Sequence, residues 1–234
     1  MKKYSKKPPR PPVRGVVFDL DDTLYLEREY VRSGFARVAK ETERLAGVPE
    51  SSVFGWLWRL FEEGQRGDTF NRLLEAYPDI AGRLRLDDLI EIYRKHTPSL
   101  ETLPGVAQLI GRLQAGGYRL GLLSDGPLAC QQAKVRSLGL DAFLEPLVLT
   151  DAWGREFWKP HRRGYEFIAD SWSLDPNELM YIGDNPIKDF ITPKELGWRT
   201  VRLRLPGQEK FQLEALSPEY AAETEIGDPA ELKF

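Results

Sequence analysis

Cysteine is almost absent from this chain. The single thiol, Cys130 among 234 residues, excludes an intramolecular disulfide and any cysteine-rich zinc site, and reads as a buried structural group in a protein of the reducing cytoplasm. Histidine is nearly as scarce: His161 has no second ligand or nucleophile beside it in the sequence, and His96 lies far from it, so neither reads as a metal ligand. An excess of one charge is missing too. With 33 Lys and Arg against 36 Asp and Glu, and a net charge of −3, no global field draws the protein to nucleic acid or to an anionic membrane. No apolar run is long enough to cross a bilayer. The opening MKKYSKKPPRPPVR is basic but has no apolar stretch before the first strand, so it does not read as a secretion signal. Residues 1–12 are expected to form a solvated, partly extended tail rather than a docking element. There is no internal repeat, and no GxGxxG or GxxxxGKS/T pattern follows any strand; Gly116, Gly117 and Gly126 read as helix ends and tight turns.

What remains is an ordinary globular composition, 41% hydrophobic and 29% charged, in a chain whose length suits one main domain carrying a smaller insertion. Residues 13–18 are a short apolar run that ends in Asp19-Leu20-Asp21-Asp22, as a buried strand does where its carboxyl end meets solvent. Residues 26–97 then change period, with helical spacing over 30–45, 51–63, 69–76 and 87–95. After Leu103-Pro104-Gly105 helices and apolar strands alternate: helices at 106–114, 128–138, 164–171 and 188–196, the last closed by Gly197, and strands at 119–123, 144–149, 179–182 and 200–203. The fold class is therefore α/β, a Rossmann-like parallel sheet core (13–25 and 98–234) with an inserted all-helical cap domain (26–97). The insertion leaves beside the acidic cluster, where a lid over a pocket has to be anchored. After Pro206 the pattern weakens and no element is assigned.

Asp19 and Asp21 stand two apart where a strand becomes a loop, and a pair of acids at a turn is by itself weak evidence of chemistry. A second apolar strand, 179–182, ends in Gly183-Asp184, and Asp189 follows five residues later. Carboxylates at the ends of two strands suit a hard cation such as Mg2+, which takes oxygen ligands and keeps several waters. Folding requires no such cluster.

Together with Leu122-Leu123-Ser124-Asp125-Gly126 and Phe157-Trp158-Lys159-Pro160, these segments resemble, in order and in content, the four motifs of the haloacid dehalogenase (HAD) superfamily. Asp19-Leu20-Asp21-Asp22-Thr23-Leu24 is close to its signature, and the likeness runs from Val13 to about Leu205. The resemblance implies a phosphatase of the type whose helical C1 cap lies between the first two motifs. Asp19 is then the nucleophile on a phosphate monoester, forming an aspartyl-phosphate, and Asp21 the acid and later the base. Thr23 steadies the loop and, with Ser124 and Lys159, faces the substrate. Asp19, the main-chain carbonyl of Asp21, and Asp184 surround the metal, with Asp189 holding the metal's waters or Lys159. Asp125 departs from the Asn often found after the motif-two Ser or Thr; its side chain is expected to point away or to bind amides of the following turn. The partner implied is a small phosphorylated substrate, a sugar phosphate or a nucleoside monophosphate. A phosphomutase, or an idle HAD-like binding module, uses the same fold. Trp56, Trp58, Trp153 and Trp158 read as packing, and Arg28, Glu29 and Arg32 as a solvated helix face.

Overall fold

A computed structural model describes residues 10–233, so most of the expected basic tail lies outside the described residues. From Arg10 the chain already has partners: Arg10 pairs with Glu223 at 2.9 Å, and the carbonyl of Pro11 accepts Arg199 at 2.6 Å. Two compact units are present.

The first holds the chain up to Leu26, Thr102–Leu128 and everything from Gly139. Among the described residues its six strands are β1 (Gly15–Phe18), β2 (Arg119–Ser124), β3 (Leu147–Leu149), β4 (Leu179–Gly183), β5 (Arg199–Leu203) and β6 (Thr224–Ile226), all parallel, in the order β3-β2-β1-β4-β5-β6. The central strands β1 and β4 are buried at every residue. They therefore read as continuous apolar runs, as strands covered on both faces do. Helices α6 (Val106–Ala115) and α8 (Arg163–Trp172) pack on β2, and α9 (Ile191–Leu196) on β5.

Two strands and one helix depart from the reading of the sequence for identifiable reasons. β3 begins at Leu147 rather than 144, because a 3-10 turn at Leu140–Ala142 holds Leu144 and because Pro146 has no N–H to give a ladder. α9 begins at Ile191 rather than 188: the amides of Lys188 and Asp189 both close a turn on the carbonyl of Asn185. β6 lies in the unassigned tail, and its three residues, two of them exposed, are too few for alternation to register.

The second unit is helical: Glu27–Glu101 together with Ala129–Leu138. It contains α1 (Glu27–Ala46), α2 (Glu50–Glu62), α3 (Thr69–Ala76), α4 (Pro78–Ala81) and α5 (Leu86–Lys95), plus most of α7 (Leu128–Ser137). α7 joins it through Cys130 Sγ, which reaches the carbonyl of Arg94 at 3.7 Å, and Ser137 Oγ, which donates to that of Pro98 at 2.9 Å. Along α1 the buried Tyr30, Gly34, Phe35, Val38 and Ala39 form one face at helical spacing. Gly34 is needed there: a Cβ would lie 2.4 Å from the Tyr93 ring of α5. Phe35, Val53, Leu57, Leu73, Ile80 and Leu89 form the core, and Trp56 and Trp58 pack against it, Trp58 stacking on Phe54 and Phe61. No described helix is long and apolar enough to cross a membrane.

Candidate active site at the strand ends

The chain leaves β1 toward β2 and β3 on one side and returns to β4 on the other, so the strand order reverses at the β1–β4 boundary. A crevice opens beyond the carboxyl ends of strands at such a point, and α/β proteins bind ligands there. Asp19 is the first residue past β1, and its N–H donates to the carbonyl of Ile182 on β4 at 2.8 Å. Asp184 is the first residue past β4, and Ser124 closes β2 on the other flank. Parallel pairing thus brings three of the expected residues to one edge of the sheet, Asp19 one position short of Ser124 and Asp184.

Lys159 comes from the segment between β3 and α8 and is buried. Its Nζ donates to Asp19 Oδ1 at 2.6 Å, Asp189 Oδ1 at 2.8 Å and the hydroxyl of Tyr181 at 2.8 Å. Three acceptors match the three protons of an ammonium. Tyr181 in turn donates to the carbonyl of Leu123 at 3.3 Å. Asp189 is fixed by its other oxygen, which accepts the N–H of Asn185 at 2.9 Å. Gly183 makes room for this: a Cβ there would lie 2.5 Å from that same oxygen.

Carboxylate oxygens of Asp19, Asp184 and Asp189 lie within 4.8 Å of one another, and all three residues are buried. One ammonium serves two of them, so negative charge is in surplus. Burial pushes the Asp19 carboxyl up to about 7, against the pull of Lys159. Asp184 is raised well above the usual carboxylate range by burial and then by its neighbours Asp189, Asp19 and Asp22. Lys159 is raised well above its ordinary value because Asp189 and Asp19 outweigh the burial that would lower it. Three oxygen donors in a pocket short of positive charge form the donor set a hard divalent cation takes, so the residues fit such an ion.

The remaining expected residues are placed as follows. Asp21 is half-buried; its carboxylate stays outside the trio and accepts the Tyr25 hydroxyl. Thr23 is buried with no hydrogen-bond partner for its Oγ1, while its N–H reaches the carbonyl of Leu20 at 3.3 Å. Ser124 is buried, and its carbonyl accepts the Thr150 hydroxyl at 3.3 Å. Asp125 binds an amide, that of Lys159, at 3.0 Å. Trp153 packs on Phe167, and Trp158 donates to Asp151 at 3.2 Å. Arg28 pairs with Glu62 and lies over Trp58.

Sequence reading missed Tyr181, Lys188 and Arg202. Tyr181 sits mid-run in an apolar strand, where only the rule that a buried hydroxyl finds a partner hints at it. Arg202 on β5 is buried, and its Nε donates to the carbonyl of Asp184 at 3.0 Å, fixing the end of β4.

A hydrolase family model, haloacid dehalogenase-like hydrolase, matches residues 13–197. This chain belongs to the haloacid dehalogenase-like hydrolases. Within the family it is similar to the glyceraldehyde 3-phosphate phosphatase of Methanocaldococcus jannaschii, 28% identical over 85% of this chain and 87% of that one. It is also similar to (S)-2-haloacid dehalogenase 4A of Burkholderia cepacia, 25% identical over 83% of this chain and 84% of that one. Among solved structures the HAD hydrolase YfnB from Bacillus subtilis, bound to magnesium, superposes with a TM-score of 0.63 over 94% of this chain and 97% of that one. Its identity is 21%, and that likeness carries the fold alone.

Proposed function

We propose that this HAD-family hydrolase is a magnesium-dependent phosphatase that hydrolyses a small phosphate monoester through an aspartyl-phosphate on Asp19. The observation that carries the reading is the buried row at the strand ends: Asp19 held by Lys159 at 2.6 Å, beside Asp184 and Asp189. Asp19 supplies the electron pair that forms the new oxygen–phosphorus bond. As the bond to the leaving oxygen breaks, Asp21 gives that oxygen its proton. In the second half Asp21 takes a proton from water, whose oxygen attacks phosphorus, releasing inorganic phosphate and restoring the Asp19 carboxylate. Asp21 leaves the Tyr25 hydroxyl to do this. Lys159, and Ser124 with Thr23, hold the oxygens of the transferring group, where charge compensation yields most of the rate in phosphoryl transfer.

Asp19, Asp184, Asp189 and the carbonyl of Asp21 are the groups that would hold Mg2+. When bound, the ion supplies the positive charge the cluster lacks, keeps Asp19 ionised and neutralises the phosphate.

Both phosphatase and dehalogenase chemistry occur among the relatives. Asp21 favours the first, because dehalogenases of this fold lack an acid two residues after the nucleophile, whereas an alcohol leaving group needs a proton. The phosphatase relative, named for a triose phosphate, supports a sugar phosphate over a nucleoside monophosphate. With one buried thiol and no membrane-spanning helix among the described residues, a cytoplasmic setting completes the reading.

The test is phosphate release from triose and other sugar phosphates, nucleoside monophosphates and small phospho-acids, with magnesium and with a chelator. Magnesium-dependent release from the sugar phosphates is expected. Release from none of them, or halide release from 2-haloacids, would overturn the proposal; a phosphoryl group returned to sugar would mark a mutase.

A further inference from the structure

Asp125 is a buried carboxylate one residue after Ser124, the side chain that the proposed mechanism sets against the phosphate. Its bonds come from three separate segments. Oδ1 accepts the main-chain N–H of Lys159 at 3.0 Å and the Thr150 hydroxyl at 2.8 Å, and Oδ2 accepts Nζ of Lys188 at 3.0 Å. Through the first of these bonds Asp125 sets where Lys159 starts, and Lys159 ends on the nucleophile. The same carboxylate repels the substrate unless a cation answers it. Lys188 is such a cation, in direct contact with Oδ2. Its side chain is 30% exposed, against 4% for Asp125, so it enters from the solvent side and can cover the carboxylate without displacing Thr150 or Lys159.

The charges agree with this. Asp19, Asp125, Asp184 and Asp189 outnumber Lys159 and Lys188, and removing Lys188 enlarges that surplus of negative charge. Lys188 also stands one residue before Asp189, in the turn closed on the carbonyl of Asn185. The pair therefore links the turn carrying Asp189 to the end of β2.

We infer that Asp125 and Lys188 act as one positioning unit, in which Asp125 fixes the backbone of Lys159 and Lys188 cancels the charge that this fixation places beside the substrate's phosphate. The inference rests on the phosphatase reading and assigns Lys188 to phosphate affinity. It makes a prediction of sign. Lys188→Met removes the ion pair at Asp125 Oδ2, so KM for the phosphate ester and the inhibition constant of inorganic phosphate rise by about tenfold or more, with kcat less affected. Adding Asp125→Asn restores both constants to within about threefold of wild type, because the amide oxygen still accepts the Lys159 N–H and the Thr150 hydroxyl while carrying no charge. Lys188→Arg, which keeps the pair, stays near wild type.

The experiment measures steady-state kinetics on the ester and calorimetric binding of inorganic phosphate, in magnesium buffer, for wild type, the two Lys188 variants and the double variant. Melting curves confirm folding, and Lys188→Gln replaces Lys188→Met if the latter does not fold. Recovery in the double variant supports the unit. If the double variant is as weak as Lys188→Met or weaker, or if Lys188→Met binds phosphate as wild type does, Lys188 is a strut or a bystander and the inference falls. A wild type that hydrolyses no phosphate ester would instead sink the phosphatase reading beneath it.

Discussion

In the helical unit the pairs of Arg72 with Asp68, Lys95 with Glu91 and Arg37 with Glu41 each join residues four apart and have at least one partner more than 40% exposed. At the strand ends of the α/β unit Lys159 pairs with Asp19 and Asp189, and none of the three side chains is more than 5% exposed. The first kind of pair forms wherever a helix alternates charges and contributes little, since water competes for both partners. The second kind costs desolvation that packing apolar groups in the same space would avoid. Even after pairing, Asp19 and Asp184 remain raised. A cluster that folding would do better without marks function.

Four substitutions or conditions bear on this contrast. The largest effect belongs to Asp19→Asn, which should cut phosphate release by roughly 10^4 or more, while the melting temperature of the metal-free protein stays level or rises because one surplus buried charge is gone. A clear fall in stability would show that Asp19 serves the fold. Next is Lys159→Met. Turnover should drop by about a hundredfold or more, and the metal-free protein should melt about 5–10 °C lower, since two buried carboxylates lose their cation.

Third comes magnesium itself. With Asp19 raised to about 7 and Asp184 raised as well, the metal-free native state holds protons that the unfolded chain has lost above the ordinary carboxylate value of 3.8. That contribution to stability is fully present below this value and fades as the pH rises through about 7. The increase in melting temperature produced by magnesium should therefore be larger at about pH 8 than at about pH 5.5, by several degrees; an increase independent of pH would break the link between the carboxylates and the metal. The smallest effect is that of Lys95→Ala in the helical unit, for which melting temperature and turnover should match wild type in paired assays.

The part of the site carried by strand ends was legible in the sequence. Asp19 and Asp184 follow apolar runs of the length a buried parallel strand needs, and such runs end at one edge of the sheet, so the two had to meet. Asp189 was noted from its place five residues after Asp184, whereas Lys159 was legible only through the resemblance of its segment to a family, because a loop's spacing does not say where its side chains turn. Tyr181 was hidden by its own setting, a buried tyrosine in an apolar strand being ordinary core until its hydroxyl is located. The Asp125–Lys188 pair was hidden by distance: 63 residues separate the partners, and no local pattern connects them. The helical insertion was plain from its period, but residues 129–138 were not. Their helix follows the second strand as any crossover helix does, and only the contacts of Cys130 and Ser137 with carbonyls at 94 and 98 draw it into the helical unit.

The account turns on Asp19 as the atom that takes the phosphoryl group, and rapid acid quench after mixing with a sugar phosphate labelled in its phosphate tests this most directly. Label retained on the wild-type protein within the first turnover, mapping to Asp19 and absent from Asp19→Asn, is the predicted result. Phosphate released at the wild-type rate with no label ever on the protein, or label retained by Asp19→Asn, would contradict it.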